Sequence, residues 1–293
     1  MIYEYAISPA LFAHEDRIAL MVASLGHGNG RLVSDLPKDK WEQFALHFIK
    51  QHAAGDAQLS KWKEALFSLK KRAAIFRRPG ARWDDNLAWI DNAVAEHART
   101  PFRAIVSDGP HAQCPEVVPY GIELVGHAKW ACPANTHIGR NAGAIVAQMS
   151  GLLNLSGTVV LIDRNFSIDD RFMKVVVELA HYLDTQKQGP RVEQIKYVIS
   201  DVAGQPRDVT NLCVKHLAPR LPPRISVKFL FKAKGKLHPR FLLTDRGGLN
   251  FESGLDEGTG QTLVSRLAED AWAQEWSAWD KDVYQTFEIK RSA

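Results

Sequence analysis

The chain has 293 residues, of which 45% are hydrophobic and 24% are charged, an ordinary composition for a globular protein. This length allows one large domain or two ordinary ones, with ample residues for a hydrophobic core. A formal net charge of only +4 excludes a global polycation, so any binding of nucleic acid must depend on local basic patches.

Cysteine usage and hydropathy predict the compartment. Cys114, Cys132 and Cys213 lack the spacing of a disulfide framework or a metal site. The chain shows neither a signal-peptide pattern nor an apolar run long enough to span a membrane. We therefore expect a protein of the reducing cytoplasm.

Residues 1–130 are predicted to form a mainly helical N-terminal region. Apolar residues recur at helical spacing in four segments: Glu15 to Leu25, Trp41 to His52, Leu59 to Phe76 and Asp84 to Ala98. One strand is predicted from Phe102 to Val106. The glycine cluster at 26–30 lacks the Gly-Lys-Ser/Thr of a phosphate-binding loop, which favours an ordinary connection.

Residues 107–134 are rich in Pro, Gly, Cys and His and indicate a domain boundary. His111, Cys114, His127 and Cys132 raise the alternative of a zinc site. Their separations are irregular and no C-x2-C pair is present, so zinc is not favoured. We accordingly place a second domain at residues 131–293.

Strands and helices alternate through this second domain. Strands are expected at Thr158 to Asp163, Gln194 to Ser200, Ile225 to Phe231, around His238, and at Tyr284 to Ile289. Helices are expected at Ile138 to Leu153, Arg171 to Tyr182, Asp208 to Leu217 and Thr262 to Trp279. This order predicts an α/β domain with a mainly parallel sheet flanked by helices.

The stretch from Lys236 to Asp256 contains the pattern H-x-R-x4-D, formed by His238, Arg240 and Asp245. The apolar run that follows Arg240 is typical of a strand buried on both faces. His238 and Arg240 alternate along this strand and therefore lie on the same side of it. We expect the two side chains to emerge together, with the carboxylate of Asp245 at the strand end.

This pattern resembles the H-x-K-x4-D motif of the phospholipase D superfamily. His238 matches the motif histidine and Asp245 the motif aspartate, while Arg240 replaces the lysine. The resemblance extends over residues 136–290 and implies a phospholipase D-like half-domain, in which the motif strand follows strand–helix units.

The second part of the family motif, Gly-Ser-x-Asn, is only partly present. Ser253 keeps the hydroxyl, whereas Glu252 and Asp256 depart from the pattern and add negative charge. Added like charge opposes phosphate binding, so an inactive copy of the domain is a real alternative.

The resemblance implies a route of phosphodiester cleavage that requires no metal or other cofactor. In the family one motif histidine attacks phosphorus and a second protonates the leaving oxygen, roles that suit a group with a pKa near neutrality. Arg240 would stabilise the non-bridging oxygens, and Asp245 would orient a histidine. One motif supplies one histidine, and single-motif family members supply the other by homodimerising, which we expect here.

Basic residues precede and follow the motif. Lys232, Lys234, Lys236 and Arg246 are predicted to bind a polyanionic substrate. The alternative is a solvated edge strand, where lysines prevent aggregation. Asp163, at the end of a buried strand, is either a supporting residue of the site or a turn former.

These features predict a metal-independent phosphodiesterase or nuclease that acts on DNA or RNA as a homodimer. Residues 1–130 would position the domain, bind a protein partner or gate the site. In bacteria, single-motif proteins of this kind occur in restriction and phage defence, a setting that the resemblance permits. The alternative is a non-catalytic module that binds nucleic acid or a partner protein. A lipid phosphodiesterase is disfavoured because no apolar membrane-docking stretch is present.

Overall fold

The computed structural model describes residues 1–37, 39–71, 74–78, 80–233 and 240–291. The chain divides into two compact units, one formed by Ile2–Pro133 and the other by Ala134–Ala293 together with Met1. Within the described residues, every helix is too short or too polar to cross a lipid bilayer.

The described residues of the N-terminal unit form five strands and five α-helices. The strands are β1 (Tyr3–Ile7), β2 (Arg31–Ser34), β3 (Ile75–Phe76), β4 (Ile105–Ser107) and β5 (Val117–Pro119). The helices are α1 (Glu15–Ser24), α2 (Trp41–His52), α3 (Asp56–Lys71), α4 (Trp89–Arg99) and α5 (Ile122–Gly126). All the strands are parallel, in the order β3-β2-β1-β4-β5.

This parallel sheet corrects the prediction of a mainly helical region. The predicted helices are present near their expected bounds, but they flank a sheet of which the sequence revealed only β4. The missed strands have two to five residues each, too short to establish a period of two. The helix predicted to Phe76 ends at Lys71, and its apparent continuation is β3.

A buried ion-pair network accounts for the charged residue in the central strand β1. Glu4 accepts hydrogen bonds from Arg78 Nε at 2.9 Å and Arg78 Nη2 at 2.8 Å, and Arg78 also contacts Glu96 at 3.2 Å. All three residues are buried, and charges in such an environment are tolerated only when paired. The network therefore joins β1 to Arg78, which follows β3, and to α4.

In the C-terminal unit, the part of the chain that the structure describes forms eight strands and four α-helices. The strands are β6 (Asn135–Gly139), β7 (Val159–Asp163), β8 (Gln194–Ser200), β9 (Ser226–Lys232), β10 (Arg240–Thr244), β11 (Gly247–Phe251), β12 (Gln261–Arg266) and β13 (Gln285–Ile289). The helices are α6 (Ala142–Leu155), α7 (Asp170–His181), α8 (Pro206–His216) and α9 (Glu269–Trp276). The strands form one sheet in the order β13-β9-β8-β7-β10-β11-β12-β6.

This sheet is mixed, so the prediction of a mainly parallel sheet is wrong for this unit. Only the β7–β8 and β8–β9 pairings are parallel. The other pairings given by the described residues are antiparallel. For β10–β11 and β11–β12 the reason is that the strands follow one another through short connections, which cannot return the chain for parallel pairing.

The helix predicted from Thr262 to Trp279 is also wrong. Its first part is β12, which pairs with β11 on one side and β6 on the other. Thr262 and Val264 are buried while their neighbours are more exposed, which is the alternation of a strand. Helix is confined to α9, where Trp272 and Trp276 pack on the sheet.

The two faces of the sheet are covered differently. On one face Tyr197 and Phe229 stack with ring centroids 5.7 Å apart, and Phe166 packs edge-on against Tyr197. The other face presents Val160, Ile162, Val198, Leu230 and Leu243 to the tryptophans of α9 and the segment after it. The strands β8 and β9, which carry Tyr197, Val198, Phe229 and Leu230, are thus covered on both faces.

Candidate functional site

The pairing of β7 with β10 defines the place of the motif arginine. Arg240, the first residue of β10, is in register with Asp163, the last residue of β7. In open α/β sheets, ligands bind outside the carboxyl ends of the parallel strands, and Asp163 marks such an end. His238 lies outside the described residues, as do Lys234 and Lys236.

Asp163 is fully buried at this strand end. Its Oδ1 accepts a hydrogen bond from the Asn165 N–H at 2.8 Å, and its Oδ2 accepts one from the Leu255 N–H at 3.1 Å. Burial raises the pKa of Asp163, although the two N–H donors and the Arg240 charge act in the opposite direction. Asp163 thus closes a turn and also secures the segment Glu252–Asp256.

Arg240 lies beside the same segment. Its Nη1 donates a hydrogen bond to the Glu252 carbonyl, while its buried Nε has no hydrogen-bond partner among the described residues. The side chains of Glu252 and Ser253 are exposed. The guanidinium is therefore held against the backbone of a segment whose Glu252 and Ser253 side chains are exposed.

Asp256, predicted to add negative charge to the site, is buried and paired. Its Oδ1 lies 2.7 Å from Arg140 Nη2 and its Oδ2 lies 3.4 Å from Arg171 Nη1. Gly254 permits this arrangement, because it has φ +115° and a Cβ there would lie 2.7 Å from Asp256 Oδ1. The carboxylate points toward two guanidinium groups, which offset its negative charge locally.

Sequence analysis missed Arg140 and Arg171. Both are more than 60 residues before the motif, and neither stands in a pattern that singles it out. Arg140 follows β6 and Arg171 lies in the first turn of α7. The sheet order, which was not predictable, brings them to the motif.

Tyr197 adds a third polar group to this interior. Its hydroxyl is buried and has no hydrogen-bond partner among the described residues. Burial, followed by the charges of Asp163 and Asp256, raises its pKa well above the ordinary value.

Asp245 and Arg246 lie at the other end of β10. Asp245 Oδ1 accepts hydrogen bonds from the N–H groups of Gly157 at 2.9 Å and Thr158 at 3.0 Å, just before β7. Arg246 Nε is 3.5 Å from Asp245 Oδ2. Asp245 is five positions after Arg240 in the sequence, which corresponds to about 17 Å along an extended strand.

Lys232 is not part of an exposed basic stripe in the described structure. Its side chain is only 6% exposed, and Nζ donates a hydrogen bond to the Ala278 carbonyl at 3.0 Å. Burial lowers its pKa, against the nearby charges of Asp282 and Asp280. Lys232 therefore anchors the segment after α9, which corrects its assignment as a substrate-binding residue.

The N-terminal sheet offers another location where a ligand could bind. The order of the N-terminal sheet reverses between β1 and β4, where nucleotides bind in doubly wound folds. Here Trp41 Nε1 donates to the Ile7 carbonyl at 2.7 Å, and Phe12 packs edge-on against Trp41, so side chains fill that position. No group of three potential metal ligands forms anywhere in the described part of the chain.

Comparisons with known proteins leave the family open. No family model matches the chain, and no curated protein matches its sequence. Among solved structures, the chain is similar to the one titled "Structure of TrmBL2, an archaeal chromatin protein, shows a novel mode of DNA binding", with 10% identity and a TM-score of 0.27. The match covers 52% of this chain and 55% of that chain, about half of its length. A likeness at this level carries no argument about fold or function.

Proposed function

We propose that the C-terminal unit is a metal-independent phosphodiesterase of the phospholipase D type that acts on DNA or RNA. The observation that carries the proposal is the position of Arg240. It begins a central strand, stands in register with Asp163 and lies against the segment that contains Ser253. An arginine presented in this way is suited to the oxygens of a phosphate.

In the proposed reaction His238 attacks phosphorus and displaces one ester oxygen, which the histidine of the partner copy protonates. Water then cleaves the phosphohistidine bond and frees His238, so one difficult step is split into two. Arg240 stabilises the negative charge on the non-bridging oxygens, and the Ser253 hydroxyl donates a further hydrogen bond. Asp163 is a positioning residue, because its Oδ2 holds the Leu255 N–H and with it the Ser253 segment.

The pairing of Asp256 removes one argument for an inactive domain. Its carboxylate is held by Arg140 and Arg171 and does not face a phosphate at Arg240 unopposed. The proposal retains a homodimer that supplies the second histidine, and an N-terminal unit that positions the domain or binds a protein partner.

A non-catalytic module that binds nucleic acid or a protein is the second candidate. The observation in its favour is that the carboxylate of Glu252 is exposed beside Arg240, whose Nη1 is already engaged by the Glu252 carbonyl. In this case the domain would bind a ligand through its surface charges without cleaving it.

Cleavage of labelled DNA and RNA in the presence of EDTA distinguishes the two. We expect the full chain to cleave at least one of these substrates, and His238→Ala to lose about a thousandfold in rate or more. His216→Ala, which removes an exposed histidine from α8, is the matched control and should cleave normally. Undiminished cleavage by His238→Ala contradicts the mechanism, and binding without cleavage by the wild-type chain supports the non-catalytic module.

A further inference from the structure

Arginines from three separate segments converge on Glu252–Asp256. Arg240 comes from β10, Arg140 from the connection between β6 and α6, and Arg171 from the first turn of α7. Arg240 donates to the Glu252 carbonyl, and Arg140 Nη2 lies 3.4 Å from the next carbonyl, that of Ser253. The Arg240 and Arg140 guanidinium groups therefore stand beside adjacent residues of one short segment.

Arg140 and Arg171 share one buried carboxylate partner, Asp256. Arg171 Nε also lies 3.8 Å from the exposed carboxylate of Asp169. The side chain of Arg171 is 54% exposed and that of Arg140 is 19% exposed, whereas that of Asp256 is 5% exposed. Solvent thus meets the two guanidinium groups rather than the Asp256 carboxylate, and the contacts with Asp256, Asp169 and the Ser253 carbonyl use only some of the five N–H donors of each group.

The local packing holds this pair in place. The glycine at 258 leaves room for Arg140, since a Cβ there would lie 2.7 Å from the Arg140 Cζ. Glu257 accepts a hydrogen bond from the Ala142 N–H at 3.0 Å, which fastens the same loop to the start of α6. Arginines fixed in advance lose less side-chain entropy when an anion binds.

We propose that Arg140 and Arg171 bind a second phosphate of the substrate, next to the phosphate that Arg240 contacts. The substrate class is then a chain with neighbouring phosphates, a polynucleotide, rather than an isolated phosphodiester. Asp256 is the positioning residue of this subsite, because its two carboxylate oxygens contact the two guanidinium groups. This inference rests on the proposed function, because it assigns a neighbouring subsite to the same site.

Salt-dependent binding tests the subsite separately from cleavage. Binding of a short single-stranded oligonucleotide is measured over a range of salt concentrations with the full-length His238→Ala chain, alone and combined with Arg171→Ala. Loss of one phosphate contact should reduce the slope of log K against log salt by about 0.7. Arg224→Ala is the matched control, since Arg224 is also exposed and paired, with Asp184, just before β9 at the opposite edge of the sheet.

Cleavage provides the second measurement. In an otherwise wild-type chain, Arg171→Ala should lower kcat/KM on the oligonucleotide about tenfold or more, because a charge-assisted hydrogen bond is lost. The loss on bis(p-nitrophenyl) phosphate, which has a single phosphate, should be clearly smaller, because this substrate does not occupy the second subsite. Arg140→Lys, which keeps the charge but not the fork, should show the same selectivity in smaller measure.

The outcomes separate the two proposals. An unchanged slope for Arg171→Ala overturns the subsite while the nuclease proposal stands. Equal losses on both substrates also overturn it, because Arg171 then supports the reaction centre as a whole. If the expected change in slope is found but the wild-type chain cleaves neither substrate, the nuclease proposal is refuted and the subsite proposal stands. If the chain binds no oligonucleotide, the subsite proposal is refuted.

Discussion

Asp163 shows how one buried carboxyl group links the stability of the unit to its site. Both of its oxygens accept backbone N–H groups, one within the turn and one from Leu255. An asparagine has only one carbonyl oxygen and can satisfy only one of these donors. Burial nevertheless dominates and raises the pKa of Asp163, so the folded protein favours its protonated form relative to the unfolded chain.

The pH dependence of stability has a definite sign. Between the usual value of 3.8 and the higher folded value, the unfolded chain has lost the proton and the folded chain keeps it. The contribution of Asp163 is therefore full below 3.8 and falls as the pH rises through this window. Asp163→Asn removes this titration, so the wild-type stability relative to the variant should decrease from about pH 4 to pH 7.

Urea unfolding at several pH values measures this difference. Asp208→Asn, on the exposed side of α8, is the control and should follow the wild-type chain across the range. A stability difference between wild type and Asp163→Asn that grows with pH would show that hydrogen bonds, rather than burial, dominate at Asp163.

The two ends of the strand β10 have different roles, one in the candidate site and one in stability. Arg240 at its start belongs to the candidate site, whereas Asp245 at its end ties the β10–β11 turn to the N–H groups that precede β7. We expect Asp245→Ala to lower the free energy of unfolding by about 1–3 kcal/mol, because two N–H donors lose their acceptor. Cleavage of oligonucleotide by the folded variant should be unchanged.

Thermal unfolding and kcat, measured on the same preparation, check this prediction. Asp245→Asn keeps one carbonyl acceptor and should lie between wild type and Asp245→Ala in stability. A stable Asp245→Ala chain with strongly reduced kcat would instead support the role first predicted for Asp245, the orientation of a histidine.

For the whole molecule, the prediction concerns assembly. One chain offers one motif histidine, whereas attack on phosphorus and protonation of the leaving oxygen call for two groups in different protonation states. We expect a homodimer in which the partner copy supplies the second His238. Mixed dimers of wild-type and His238→Ala chains should be as inactive as the pure variant, because no site retains both histidines.

Sedimentation and differentially tagged chains test this. The two tags allow the mixed dimer to be isolated, and reassembled wild-type dimer carried through the same steps is the control. A monomer that cleaves at the wild-type rate, or a mixed dimer with half of the wild-type activity, would contradict the symmetric mechanism.

Local signals in the sequence were sufficient for the elements that follow one clear period. The helices α2 and α7 and the strands β7 and β8 lie within two residues of their predicted bounds, because amphipathic spacing and buried apolar runs are visible without tertiary context. The short parallel strands β1, β2, β3 and β5 of the N-terminal unit were not predicted, because segments of two to five residues are too short to show a period. The strand β12 was mistaken for the start of a helix that begins only at Glu269.

The sequence by itself determined the motif, the strand that carries it and the presence of Arg240 in that strand. Only the tertiary structure decided which charges surround Arg240. It brought Asp163, Arg140 and Arg171 to the Glu252–Asp256 segment, moved Asp245 and Arg246 to the far end of β10, and buried Lys232 against Ala278. The reason is physical: local periodicity specifies the direction and face of each strand, whereas neighbours across a mixed sheet follow from strand order and register, which depend on the packing of the whole unit.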